Sequence, residues 1–213
     1  KHSKEQIINQ AFKFHSQGNI QDAAKYYQSL INQGIKDHRV FSNFGSLLQG
    51  SGKLKEAELY LRQAIELKPD YAKAHYNLGI ILSDLDKLQE AELSYRRAIE
   101  INPYFAEAHS NLGNILSDLG NIKEAFDSYL KSIEINPNLG NTYTSITRFL
   151  KNSDPSKLNK SKLKKILNIL LDRNDISHKE LMRAFNFLYG IEIINNLDKL
   201  DSDLSKIGFI VQN

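Results

Sequence analysis

Apolar residues recur along this chain with a helical period, in short paired runs. In residues 72–105, Leu78, Ile81, Leu82 and Leu85 fall at i, i+3, i+4 and i+7, one face of an amphipathic helix. After a break at Asp86-Lys87 a second stripe follows, with Leu88, Ala91, Tyr95, Ala98 and Ile99 on one side. Pro103 marks where that helix can run no further. Matching breaks occur at Gly18-Asn19, Gly52-Lys53 and Gly120-Asn121. Glycine suits the left-handed residue that closes a helix, and Asp86 is expected to take the same conformation at modest cost. The pattern predicts antiparallel helices over residues 4–151, turning near Gly18, Gly52, Asp86 and Gly120, with no strand.

The pairs form a repeat. Units starting at Lys4, His38, Ala72, Ala106 and Gly140 are each 34 residues apart, and those from Ala72 and Ala106 share 20 of 34 residues. Small residues hold fixed registers: Gly45, Gly79 and Gly113 in first helices, Ala23, Ala57, Ala91 and Ala125 in second helices. A glycine inside a helix costs about 1 kcal/mol against alanine. Its recurrence at one position therefore implies a close backbone approach. Neither helix of a pair can bury its stripe alone, and stacking the pairs solves that problem.

The 34-residue period, the Leu-Gly pairs, the second-helix Ala, the aromatic at Tyr27, Tyr95 and Tyr129, and Pro69, Pro103 and Pro137 together resemble tetratricopeptide repeats. The resemblance covers residues 4–151: four full repeats and the first helix of a fifth, which keeps Tyr143, Ile146 and Leu150. The first unit departs most, with Gln10-Ala11 for Leu-Gly and Ile35 for Pro; the family's early aromatic is Phe41, then His75, then His109. The resemblance implies an all-α helix-turn-helix solenoid, a right-handed superhelix whose concave face is lined by first helices and binds peptides.

Residues 152–213 are expected to hold a degenerate repeat and a C-terminal helical cap. "KNSDPSKLNK" reads as a loop, and Leu163, Ile166, Leu167 and Leu170 as a helix completing the fifth unit. Ser177 and Glu180 have capping-box spacing, predicting a long helix through Leu181, Phe185, Leu188, Ile191 and Leu197, with a short final helix from Asp203. Such a segment would cover the last apolar face of the array.

Composition adds mostly exclusions. There is no Cys, which removes disulfides and thiolate metal sites and fits a reducing, cytoplasmic setting. No apolar run approaches a membrane span. The chain opens on Lys1 rather than Met and carries no secretory signal, as a fragment of a longer product would. The net charge of +3 lies in the last third: residues 151–213 carry 11 basic and 8 acidic side chains. The lysines at 157, 160, 162, 164 and 165 have no aromatic interleaved in sequence, so they read as a solvated helix face rather than a nucleic-acid site. No phosphate loop, nucleophile elbow or zinc spacing occurs, so no catalytic residue, metal or cofactor is expected. His75 and His109 lie on the inward stripe without a recurring acidic companion and read as packing residues; His2, His15, His38 and His178 read as surface residues.

One register remains. The sixth residue of the first four units is Asn9, Asn43, Asn77 and Asn111, with Ser145 in the fifth. Asn is a poor helix former, so its recurrence asks for compensation. It persists in the first unit, which has lost most other signature residues. An amide offers both donor and acceptor, the pair that one peptide unit of an extended chain needs. Here "AEAHSNLGN" resembles the repeats of O-linked N-acetylglucosamine transferases, where a ladder of such Asn residues holds substrate backbone. The candidate peptide groove is thus Asn9, Asn43, Asn77 and Asn111, with Lys73 and Asn114. The family's terminal-carboxylate clamp is not expected, because Asn77 stands where it needs Arg. The expected function is a non-catalytic module binding extended protein segments, without nucleic acid or membrane, as a monomer or weak homodimer. The alternative is the N-terminal, substrate-recruiting region of a longer glycosyltransferase or methyltransferase.

Overall fold

The computed structural model describes residues 3–190. Nine α-helices alternate from Lys4 to Asn152: α1 (Lys4–Ser16), α2 (Ile20–Asn32), α3 (His38–Gly50), α4 (Leu54–Leu67), α5 (Ala72–Asp84), α6 (Leu88–Ile101), α7 (Ala106–Asp118), α8 (Ile122–Ile135) and α9 (Gly140–Asn152). A one-turn 3-10 helix at Pro155–Lys157, α10 (Lys160–Leu171), a second 3-10 turn at His178–Leu181 and a helix over 182–190 follow. No strand occurs among the described residues.

The turns explain the period. Gly18, Gly52 and Gly120 have φ of 74°, 74° and 80°, and Asp86 is the one non-glycine residue with positive φ, 59°, among the described residues. At each turn the next amide reaches back five residues, Lys53 to Leu48, Lys87 to Leu82 and Asn121 to Leu116, at 2.7–3.0 Å. That bond satisfies a carbonyl at the end of the first helix and reverses the chain. Each pair then closes on its glycine. A Cβ built at Gly79 or Gly113 would lie 2.7 Å from the ring of Tyr95 or Tyr129, and at Gly45 2.8 Å from Leu61 Cγ. The glycine is what lets a large second-helix side chain lie flat on the first helix.

Stacking makes two layers. First helices touch the first helices of neighbouring units, α1 with α3, α3 with α5, α5 with α7 and α7 with α9, and so form the inner layer. Second helices lie outside. The core runs between the layers as a continuous apolar cluster from Ile8 to Ala184. On the outside Arg62 binds Glu58 and, at 3.0 Å, Glu90; one unit on, Arg96 binds Glu92 and, at 2.7 Å, Glu124. Exposed pairs of this kind contribute at most about 1 kcal/mol each, so they order the stack more than they hold it.

The fifth unit differs for a visible reason. Thr147 stands at the glycine register and returns its hydroxyl to the Tyr143 carbonyl at 2.9 Å. Without the glycine, α10 does not pair closely with α9 as α8 does with α7. Leu163, Ile166, Leu167 and Leu170 are nonetheless buried, and Lys162 ties α10 to Asp127 of α8 at 2.6 Å. The capping box at Ser177 does not form: its side chain caps nothing, and Glu180 is drawn instead to Lys151 of α9 at 2.9 Å. Leu181 is fully buried beside α9, while Phe185 and Leu188 are only half-buried. The expected helical course through Ile191 and Leu197 and a final helix from Asp203 lie outside the described residues.

Candidate functional site

The six groove candidates do not share one environment. The Asn register sits on the flank of each first helix that faces the preceding unit. Asn77 is 8% exposed, and its amide nitrogen is buried with no partner. Asn111 donates to the hydroxyls of Tyr76, at 3.3 Å, and Tyr95, at 3.5 Å, both from the unit before. Residues one repeat before Tyr76 and Tyr95 are Ser42 and Leu61, which explains the orphan at Asn77. Ser42 Oγ is itself buried and unpartnered. Asn9 has no preceding unit among the described residues, so it stands exposed on the end flank, in a crevice with Gln6, Gln10 and Lys13. Those three positions are Ala74, Leu78 and Ile81 in the third unit, all buried.

Lys73 and Asn114 belong to the inner layer with the ladder. Lys73 is exposed. Asn114 Oδ1 accepts from Tyr129 at 2.9 Å and from Arg148 at 3.4 Å, and with Asp118, Ser145 and Asn152 it lines a polar crevice of about 290 Å³ between α7 and α9. Other inner-layer charges are of both signs: Arg39 bridges Glu5 and Asp37, and Gln49 donates to Asp84 at 2.9 Å.

His15 is not the surface residue its isolation in sequence suggests. It is half-buried, with Nδ1 3.1 Å from the Tyr27 hydroxyl. Burial lowers its pKa, and the charge on Lys73 lowers it further. His15 and Tyr27 thus pair across the two helices of the first unit, with the charge of Lys73 felt from the third. Sequence spacing held no signal for this pairing. His38 is half-buried and packs edge-on to Tyr71 at 4.7 Å, whereas His178 is exposed, as expected, and bonds the Arg173 carbonyl at 2.9 Å; His2 lies outside the described residues.

His75 and His109 are packing residues, half-buried, each bonded through Nε2 to a proline carbonyl: Pro69 at 2.9 Å and Pro103 at 3.0 Å. The lysine run also gains neighbours that linear sequence hides, since Lys160 lies 5.4 Å from the Phe187 ring and Lys164 5.7 Å from Tyr189. Among the described residues no group of three acidic or histidine side chains could hold a metal, and no helix is long and apolar enough to cross a membrane.

The histidines make stability depend on pH. Burial lowers the pKa of His15, His38, His75 and His109 in the fold. Below about pH 6.5 the unfolded chain therefore takes up more protons than the folded one, and stability falls with pH through that range. Asp37 and Glu58 behave separately. Burial raises each, but hydrogen bonds from Arg39, and from Lys87 and Arg62, hold both below the usual carboxylate value, so their contribution is lost only in stronger acid. The expected result is a melting temperature that drops between pH 7.5 and 5.5. A His75→Gln, His109→Gln variant should show a flatter profile; an identical slope would remove these two rings from the account.

The architecture is that of a helical-repeat solenoid, and sequence comparison agrees over its middle part. A tetratricopeptide repeat profile matches residues 72–105 and 106–139, and a second TPR repeat profile matches residues 45–86. Together these matches place tetratricopeptide repeats over residues 45–139. No curated protein matches its sequence. Among solved structures it is similar to YrrB, described as a TPR protein with an unusual peptide-binding site, at 20% identity and TM-score 0.64, covering 84% of this chain and 90% of that one. The first TPR of Spaghetti (RPAP3) bound to the HSP90 peptide SRMEEVD aligns at 26% identity and TM-score 0.53, over 55% of this chain and 93% of that one. The resemblance to O-GlcNAc transferase repeats reduces to a distant, partial one: a mutant enzyme from Thermobaculum terrenum aligns at 22% identity and TM-score 0.54, over 62% of this chain and only 25% of its own.

Proposed function

We propose that this chain is a non-catalytic protein-interaction module that holds an extended peptide segment against its inner layer. On this reading residues 4–151 carry the groove and residues 152–213 close its end. The observation that carries the proposal is the Asn register on successive first helices, with an unpartnered amide at Asn77 and a polar crevice around Asn114 further along. Lys73 and the mixed charges beside it give the groove a polar rim. Peptide binding by YrrB and by the RPAP3 repeat supports the same use of the fold.

The test is chemical-shift mapping with a pool of unstructured twelve-residue peptides, using 15N-labelled protein. Side-chain amide signals of Asn43, Asn77, Asn111 and Asn114 should shift together, with those of Asn9 moving least because it lies on the end flank. Shifts confined to the second helices would refute the groove.

The partial likeness to the Thermobaculum terrenum transferase favours a second reading, in which the same groove recruits substrate for a transferase domain carried further along the same product. Sequencing the gene beyond Asn213 separates the two: a few hundred further codons support recruitment, and a stop codon supports a free adaptor.

A further inference from the structure

The outer layer holds two clefts that the repeat itself interprets. One, of about 390 Å³, lies between α4 and α6 over His75, Leu78 and Ser94. The other, of about 560 Å³, lies between α6 and α8 over His109, Leu112 and Ser128. Their linings correspond at 34-residue spacing: Ile65 with Ile99, His75 with His109, Ser94 with Ser128. One repeat earlier the same three positions are Ile31, Phe41 and Tyr60. There the Tyr60 ring stacks on Phe41, with centroids 6.0 Å apart and 23° between planes, and packs on Phe44 at 4.9 Å. Ile31 lies against the same group. The first junction is therefore filled in cis by an aromatic ring. At the next two, serine replaces that tyrosine and histidine replaces the phenylalanine it stacks on.

We infer that the two outer clefts accept aromatic side chains of a partner protein segment, each entering where Tyr60 lies at the first junction and stacking on His75 or His109. Each imidazole is pre-set for this, fixed by its bond to Pro69 or Pro103. The rim charges are mostly paired within the array: Arg62 with Glu58 and Glu90, Arg97 with Glu100, Arg96 with Glu92 and Glu124, and Lys131 with Glu134. The rings rather than the rim charge therefore select the segment. Leu93, 67% exposed at the lip of the first cleft, adds apolar surface for the incoming chain. This site is on the outer layer and does not rest on the groove reading.

The probe is N-acetyltyrosinamide, titrated into the 15N-labelled chain with N-acetylalaninamide as control. A single ring with few atoms to bury binds in the millimolar range. The expected result is saturable shifts at His75, Ser94, His109 and Ser128 with the tyrosine probe and none with alanine. The decisive variant is Ser94→Tyr with Ser128→Tyr, which rebuilds the Tyr60 arrangement in cis. It should abolish the shifts and melt at the parent temperature or higher. Ser94→Leu with Ser128→Leu, a smaller filling, should do the same to binding. The inference is overturned if the probe shifts do not saturate, if they persist in either filled variant, if they map to the inner layer, or if both filled variants melt below the parent.

Discussion

Gly113→Val should destabilise the array by on the order of 3 kcal/mol or more, since overpacking a core by single methylenes already costs about 1–3 kcal/mol. A Cβ at this position would meet Tyr129 Cδ1 and Cε1 at 2.7 Å and Cγ at 3.0 Å. The ring cannot move aside, because Tyr129 is 1% exposed and packs on Phe149 at 5.5 Å. Gly113→Ala should fall less far, its better helix propensity returning about 1 kcal/mol. For a chain of this size each kcal/mol is worth roughly 2–4 °C, so the valine variant should melt some 10 °C early by circular dichroism. Gly50 is the control: a Cβ there meets nothing within 4 Å, so Gly50→Ala should be neutral or slightly stabilising. If Gly113→Val melts with the parent, the close approach of paired helices is not what holds a unit together.

Replacing Asn77 and Asn111 together by alanine should weaken peptide binding about tenfold or more, while leaving the fold intact. A hydrogen bond nets about 0.5–1.5 kcal/mol, so two lost amides, each worth one or two bonds, reach that factor. The structure makes the stability arm sharper. Asn77 leaves a buried donor unpaired, so alanine there removes a cost and supplies a better helix former. Asn111 gives up two long bonds to Tyr76 and Tyr95, at 3.3 and 3.5 Å. The two single variants should therefore split, Asn77→Ala melting at or above the parent and Asn111→Ala slightly below it. A double variant that melts much earlier while binding is unchanged would make these amides ties between units.

The helices, turns and glycine contacts were legible because the second, third and fourth units bury the same positions and the sequence states them three times over. Asp86 could even be assigned its left-handed conformation from its place in the series. The surroundings of the Asn register were not legible in the same way. That position faces the preceding unit, so its partners lie 16 and 35 residues upstream, as Tyr95 and Tyr76 do for Asn111. Identical residues at one register thus meet two tyrosine hydroxyls at Asn111, no partner at Asn77 and an open flank at Asn9, depending on what came before. The pairing of His15 with Tyr27 was hidden as well, because it joins two helices of a unit at a position where no other unit carries histidine. At the other end the capping-box spacing at Ser177 misled: Glu180 pairs with Lys151 on α9, and the Ser177 side chain caps nothing.

The left-handed turns at Gly18, Gly52, Asp86 and Gly120 recur at one fixed interval, and each unit packs chiefly on its immediate neighbours. Duplicating a stretch such as residues 72–105 in register would splice in one more step without disturbing either end. Ligand length in such a protein is then inherited in whole increments: copying a gene segment lengthens the grip, and deleting one shortens it. The 20 identities between the third and fourth units have the form such an event leaves behind.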